Sequence, residues 1–356
     1  MANLAALQEF KAKIDVEIEN YFDRVIKETE KIDKDISGAL KHSKKIILSG
    51  GKRARGAFMY YGYLAAGGTE LKRMLKTSVS IELVHLFLLV HDDIIDQDSK
   101  RHGVITTHEY YKKIGKNFLR NKNPEHFGVS MGIIVGDMLG AMGNQIIFES
   151  GFNSDLVIKA LTKLQKIISM TVIGESEDVH IENRGKATVD EILRMYEHKT
   201  AKYTFEGPLH LGAILGGKDN KKFLEHLSGY AIPAGIAFQI QDDILGVFGS
   251  EKKTGKPAGS DIRQGKYTIL VAKAYERADK AQKKALEGIL GKPEISKGEI
   301  EIFQQIIKDT GSYDYAKKLS KELVLKAKRE LSKLRIKPEA GDFLNDIADY
   351  MIEREL

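Results

Sequence analysis

Two long apolar stretches of this chain each run into adjacent aspartates, and that pairing limits what the chain can become. Residues 81–97 carry Asp92-Asp93-Ile94-Ile95-Asp96 toward their end, and residues 231–247 carry Gln239-Ile240-Gln241-Asp242-Asp243-Ile244-Leu245-Gly246. A helix that is apolar on every side is a buried helix. A carboxylate at its end is costly unless a cation or hydrogen bonds compensate it. The chain must therefore bury two helices and still deliver charge to their ends, which marks both ends as candidate functional sites.

The remaining pattern is helical almost throughout. Apolar residues recur at three- and four-residue steps over 4–33, 54–66, 70–97, 128–149, 154–174, 188–199, 220–247, 265–289, 297–309, 312–333 and 338–355. No sustained apolar/polar alternation signals a sheet, so the expected class is all-α. Breaks are expected at Ser49-Gly50-Gly51, Gly67-Gly68, Gly216-Gly217 and Thr254-Gly255-Lys256-Pro257. Residues 112–127 read as a polar loop or short helix. No linker is long enough to force a boundary, so 1–356 reads as a single domain with a helical N-terminal segment over 1–44.

Composition removes several classes. Of 356 residues, 30% are charged and 42% hydrophobic, with 56 Lys and Arg against 50 Asp and Glu, which excludes a disordered chain. The absence of cysteine excludes a disulfide scaffold, a thiolate zinc site and a thiol nucleophile. The N-terminus lacks an apolar signal core. Glu82 and His85 interrupt 81–90, and Asp137, Asn144 and Gln145 interrupt 131–148, so neither reads as a membrane span. The expectation is a cytoplasmic protein without stable membrane insertion. The net charge of +6 suits nucleic acid, an acidic membrane surface or phosphorylated small molecules alike. Acids and bases are interspersed, which argues against nucleic acid as the partner.

Asp92 and Asp96 are four apart and share a helix face, with His85 close to the same stripe. Paired carboxylates repel each other, and a hard divalent cation relieves the repulsion while keeping positions open for water or phosphate oxygens. Magnesium fits best, because thiolates are absent and histidines are not clustered. An exposed acidic helix end is the competing reading. Gly50-Gly51-Lys52-Arg53-Ala54-Arg55 is a glycine turn opening a helix, with Lys52 and Arg55 three apart. Such a turn holds phosphate through charge and helix-start amides, or is simply a solvated basic turn or a nucleic-acid contact. Further basic groups follow: Arg101-His102 after the first acidic motif, Lys199-Thr200 at a helix end, and Lys256 and Lys266 after the second motif. Two carboxylate clusters, several basic sites and adjoining apolar helices describe a site for an amphipathic diphosphate.

At these residues the sequence resembles the trans-isoprenyl diphosphate synthases, or polyprenyl synthetases. The ordered match is GGKRAR at 50–55, ELVH at 82–85, HDDIIDQDSKRHG at 91–103, GD at 136–137, HKTA at 198–201, FQIQDDILG at 238–246 and GKPAGSDIRQGK at 255–266. The resemblance implies an all-α isoprenoid synthase fold of antiparallel helices around a deep central cavity, in a homodimer. It implies three magnesium ions, with Asp92, Asp96 and Asp242 as ligands. It assigns Arg101, Lys199, Lys256 and, more weakly, Lys266 to the allylic diphosphate, Lys52, Arg55 and His85 to isopentenyl diphosphate, and Thr200 and Gln239 to the reacting centre. His102 stands where an arginine commonly contacts isopentenyl diphosphate, and offers fewer donors. Gly246 stands where many relatives have a third aspartate, Glu175 replaces a common glutamine, and Gly56 and Ile105 replace prolines.

The reaction implied is head-to-tail prenyl transfer from an allylic diphosphate, with product length set by the floor of the apolar cavity. Each added isoprene unit buries five carbons, a gain of up to about 4 kcal/mol that a bulky floor residue forfeits. Helical projection places Leu88 beneath Asp92, whereas the resemblance assigns the floor to Phe87. An aromatic there resembles geranylgeranyl diphosphate synthases, with farnesyl diphosphate synthase as the alternative. A terpene cyclase would not need Lys52, Arg55 and His85. A weakly active regulatory subunit is the reading that the Gly246 and His102 departures leave open.

Overall fold

The computed structural model describes residues 4–118, 123–249 and 259–353. The chain divides into two compact units. The first comprises Ala5–Thr162 with Leu211–Gly217, and the second comprises Lys163–His210 and the chain from Lys218 onward.

The first unit begins with α1, Ala5–Thr29, which buries Leu7, Phe10, Ile14, Ile18, Phe22 and Ile26 at three- and four-residue steps. The single helix expected over 4–33 stops early. The Asp33 side chain accepts from the backbone N–H groups of Asp35 and Ile36 at 2.8 Å, and this cap starts α2, Lys34–Leu48, which periodicity did not reveal. α3 (Ala54–Ala65) and α4 (Leu71–Ile95) follow the expected breaks. A two-residue antiparallel hairpin, β1 (Lys100–Arg101) and β2 (Val104–Ile105), comes next, with Lys100 opposite Ile105. His102 and Gly103, both at positive φ (48° and 78°), make its turn, and so short a hairpin leaves no alternation to read. α5 spans Thr107–Phe118, where a helix was expected only from 112 if at all. α6, Pro124–Phe148, opens under an Asn123 cap with proline in its first turn.

α4 packs along α6. The contact works because α6 is glycine-rich on that face: a side chain at Gly132, Gly136, Gly140 or Gly143 would meet Ile94, His91, Phe87 or Val84 of α4. By length and composition α6 could cross a membrane, and 33% of its most apolar stretch is buried within the fold.

α7 runs from Ser154 to Arg184, ten residues past the end expected at 174, and passes from the first unit into the second. In the second unit α8, Val189–Tyr196, starts at a capping box between Thr188 and Glu191. The helix then widens into a π-helical stretch over Glu197–Glu206 and narrows again into α9, Gly207–Leu215, whose residues after His210 belong to the first unit. Nothing beyond 199 was expected there, because a wider turn moves apolar residues off the 3.6-residue period. α10, Lys221–Phe248, carries Pro233 internally and packs on α15, Ser312–Leu331. α11 is Ser260–Gln264. The helix expected over 265–289 is two, α12 (Ile269–Arg277) and α13 (Lys280–Ile289), separated by the capping box of Asp279 with Gln282. α14 (Lys297–Asp309) and α16 (Pro338–Glu353) complete it. Its core includes Tyr196, Ile240, Ile244, Val247, Leu270, Phe303 and Ile307. Each such side chain contributes about 2 kcal/mol through burial.

Candidate functional site

Each unit carries its own group of acidic and basic side chains. In the first unit they gather at the C-terminal end of α4. Asp92 and Asp93 are neighbours with opposite fates: the Asp92 side chain is 25% exposed and that of Asp93 is 2% exposed. Arg101, returning from the hairpin, donates through Nε to Asp93 at 2.7 Å and through Nη2 to Asp92 at 3.2 Å. Burial pushes the Asp93 carboxyl up to about 6, while its bonds to Arg101 pull the other way. Asp96 caps the end of α4 one turn beyond Asp92 and is half-buried.

The basic turn lies in the same unit. α3 starts at Ala54 and Arg53 is left-handed (φ 56°), so Lys52 precedes the helix. The helical face expected to join Lys52 and Arg55 is therefore interrupted between them. Arg53 is buried and faces inward, donating to Asp15 at 2.6 Å with Glu82 at 3.9 Å. Glu82 also accepts the Gly56 backbone N–H at 2.8 Å, a donor that a proline at 56 would lack. Arg55 Nη1 lies 3.0 Å from His85 Nε2. Burial first, then the charges of Arg55, Arg101 and Arg53, hold His85 well below its usual range, so its Nε2 accepts from Arg55. The His102 ring lies against Gly50, 2.5 Å from where a Cβ would sit. The structure thus brings Arg55, His85, Arg101 and His102 to one end of this unit, with Lys52 exposed in the turn beside them.

One turn further into α4, Phe87 lies over Gly140 and meets the edge of His91, ring centroids 5.0 Å apart. His91 Nε2 is 3.7 Å from Asp137. Leu88 is half-buried one turn before Asp92 on the same side of the helix.

In the second unit the other aspartate pair shows the same division. Asp243 is 3% exposed and Asp242 half-exposed. Tyr196 donates its hydroxyl to Asp243 and accepts the Ile269 backbone N–H at 3.0 Å. Gln239 Nε2 donates to Asp243 at 3.0 Å, and its Oε1 accepts from the Thr200 hydroxyl at 2.8 Å. The chain of bonds fixes which end of the Gln239 amide faces Thr200. Burial pushes Asp243 well above the carboxylate range, with Tyr196 and Gln239 opposing it.

Lys199 sits in the widened stretch after α8. Its Nζ is 2.9 Å from Glu175 and 2.5 Å from Asp178, which are three apart on one face of α7. A side chain at Gly174 would overlap the Lys199 backbone, so glycine lets the two segments come this close. A side chain at Gly246 would overlap the Asp261 carboxylate in α11. Asp261 thus fills the position four residues beyond Asp242 that an acidic residue in the helix itself would take. The half-buried Lys266 is tied to the same turn, its N–H donating to Asp261 O at 3.0 Å. Lys256 lies outside the described residues.

The sequence reading missed Tyr196, Asp178 and Asp261, and it placed Asp243 in the acidic motif without a role of its own. Asp178 was findable as the residue three beyond Glu175. Asp261 was not, because its role depends on its contact with Gly246, fifteen residues back along the chain. No group of three or more potential ligands stands together among the described residues. Asp92 with Asp96, and Asp242 with Asp261, offer pairs of carboxylate oxygens. That donor set fits a hard divalent cation that keeps water or phosphate in its remaining positions, as magnesium does.

Residues 38–307 match the polyprenyl synthetase family. The geranylgeranyl diphosphate synthase of Methanosarcina mazei is 34% identical over 88% of this chain and 89% of its own length. The geranylfarnesyl diphosphate synthase of Aeropyrum pernix is 33% identical over 90% of this chain and 94% of its own. A crystal structure of geranylgeranyl pyrophosphate synthase from Corynebacterium glutamicum, complexed with isoprenyl diphosphate and magnesium, superposes with a TM-score of 0.91 at 30% identity, covering 98% of this chain and 99% of that one. The chain belongs to the polyprenyl synthetase family and has its all-α fold. It is a trans-prenyltransferase of isoprenoid biosynthesis.

Proposed function

We propose that this enzyme condenses isopentenyl diphosphate head-to-tail with an allylic diphosphate, releases pyrophosphate, and delivers geranylgeranyl diphosphate. The observation that carries the reading is the division of labour within each aspartate pair. Asp93 and Asp243 are spent inside the protein, on Arg101 and on Tyr196 with Gln239, while Asp92 and Asp242 stay half-exposed. Asp92 with Asp96, and Asp242 with Asp261, would each hold magnesium, which when bound neutralises a diphosphate and activates it as a leaving group.

The protein's own groups do the rest. Arg101 and Lys199 hold the allylic diphosphate, with Lys256 and Lys266 assisting. Lys52, Arg55 and His102 hold isopentenyl diphosphate, and the neutral His85 keeps the Arg55 guanidinium oriented. As the allylic carbon–oxygen bond breaks, positive charge develops on carbon. Thr200 and the fixed Gln239 amide present dipoles to that charge. The isopentenyl double bond attacks the carbon, forming the new bond, and the proton then lost passes to the departing pyrophosphate. Phe87 on α4 closes the apolar shaft to longer chains. The names of the Methanosarcina and Corynebacterium enzymes support a twenty-carbon product, and the Aeropyrum enzyme's name supports a second reading one isoprene unit longer. We assign the enzyme to the cytoplasm, and we read Ile133, Ile134 and Phe148, exposed on α6, as part of a homodimer contact.

The test incubates the purified chain with magnesium chloride, isopentenyl diphosphate and, in turn, dimethylallyl, geranyl and farnesyl diphosphate. Chromatography of the products is expected to show twenty carbons from each primer. Hydrocarbon released from an allylic diphosphate alone would instead mark a cyclase.

A further inference from the structure

Arg53 is held in a conformation that an arginine does not adopt unaided. It is one of three residues other than glycine at positive φ among the described residues (φ 56°, ψ 31°), and it stands between Lys52 and the first turn of α3, which carries Arg55. A left-handed backbone at such a residue persists only where the surroundings over-determine it. Three helices do so through the side chain, which is 4% exposed. Nε donates to Asp15 of α1 at 2.6 Å, Nη2 donates to the Ile47 carbonyl of α2, and Nη1 lies 3.9 Å from Glu82 of α4. The guanidinium also packs against the glycine turn, since a Cβ at Gly51 would come 2.8 Å from Nη1. Among the described residues Asp15 is the one carboxylate within hydrogen-bond distance of Arg53. It lies before residue 38, where the match to the family begins, and in none of the motifs that carry the resemblance.

We propose that Asp15 is a positioning residue for isopentenyl diphosphate: through the Arg53 side chain it keeps the turn before α3 left-handed, and so fixes where Lys52 stands relative to Arg55. The inference rests on the assignment of Lys52 and Arg55 to that substrate. Without the anchor, residue 53 relaxes to the right-handed form and α3 starts earlier. Lys52 then moves onto the helical face of Arg55, the arrangement that their spacing alone would give. The two cations lose the spacing that fits the isopentenyl diphosphate group. The allylic diphosphate, assigned to other residues, is unaffected.

The experiment compares R53A with R53G in the full-length protein. Both lose the guanidinium and its bond to Asp15, but glycine takes a left-handed conformation at no steric cost and alanine does not. Initial rates in magnesium chloride are measured against isopentenyl diphosphate and against farnesyl diphosphate, each with the other saturating, and thermal midpoints are recorded alongside. R53A is expected to raise KM for isopentenyl diphosphate about tenfold, the factor that corresponds to the cost of a left-handed alanine. Its kcat and its KM for farnesyl diphosphate should stay at the parent's values, and R53G should stay close to the parent in all three. D15L is expected to match R53A, and D15L/R53G to return to the parent's KM, because glycine needs no anchor and leaves no guanidinium buried without its carboxylate. The same KM for R53A and R53G, a parallel rise for both substrates, or a D15L/R53G protein as impaired as R53A overturns this inference alone, provided that R55A raises KM for isopentenyl diphosphate. R55A with the parent's KM overturns the assignment of Arg55, and the inference with it.

Discussion

Neighbouring residues of identical chemistry do different work in this chain, and burial decides which does what. Asp93 and Asp243 are almost fully buried and satisfy donors there; Asp92, which also accepts from Arg101, and Asp242 stay partly exposed. Asp92→Ala is expected to abolish turnover while leaving the thermal midpoint close to that of the parent, because a half-exposed carboxylate contributes little to folding. Near-normal rates at saturating magnesium would remove Asp92 from the ligand set. Tyr196→Phe should behave in the opposite way. It strips Asp243 of one donor and leaves the Ile269 N–H without its acceptor, at a cost of about 1–3 kcal/mol. Chemical denaturation should detect that loss, with activity falling as Gln239 loses its fixed orientation. Gly246→Asp is the third case. It restores the acidic motif on paper, yet it drives a side chain into the Asp261 carboxylate. We expect lower stability and lower activity, measured together; a gain in magnesium affinity would contradict the role given to Asp261.

The elements show which parts of the molecule could be read from the residues. α14 and α15 were legible because each buries a stripe that leaves its period in the sequence, whereas α4 and α10 were legible as long apolar runs buried on every side. The caps at Asp33 and Asp279 were present as residues but lost inside longer apolar patterns that ran across them. The widened turn carrying Lys199 and Thr200 has a period of its own, so the motif was visible while its local structure was not. The acidic and basic motifs themselves were legible, since their residue types are few and their order is distinctive. Which aspartate of each pair faces inward was not, because that depends on Arg101 and Tyr196, eight residues and forty-seven residues away along the chain. The α4–α6 contact supports a prediction at this scale. Phe87 packs directly over Gly140, where a Cβ would come within 3.3 Å of its ring. Phe87→Ala should lengthen the product by at least one isoprene unit, read by chromatography after exhaustive reaction. An unchanged chain length would move the floor elsewhere, with Leu88 the next residue to test.

At the scale of the whole molecule, the balance between folding and acidity turns on buried histidines. His210 of α9 is 4% exposed and lies 3.0 Å from the Leu224 carbonyl and 3.1 Å from the Ser228 hydroxyl, which itself donates to Glu206 at 2.6 Å. The buried Nδ1 has no hydrogen-bond partner among the described residues. Burial first, then the charge of Lys163, depresses its pKa from 6.5 to about 4, against a smaller opposing effect of Glu206. The unfolded chain therefore takes up a proton at this position before the folded chain does. Stability contributed by the neutral ring is intact above about pH 6.5 and is lost progressively as the pH falls toward 4. Between pH 7 and pH 5 the loss from this one group is about 2 kcal/mol. His42, His85 and His108 are depressed in the same direction, so the whole protein should weaken on mild acidification. His210→Gln keeps an amide donor for the Leu224 carbonyl and removes the titration. Its thermal midpoint is expected to fall less than that of the parent when the pH is lowered from 7 to 5. Parallel curves for the two proteins would mean that the proton taken up on unfolding belongs to another residue.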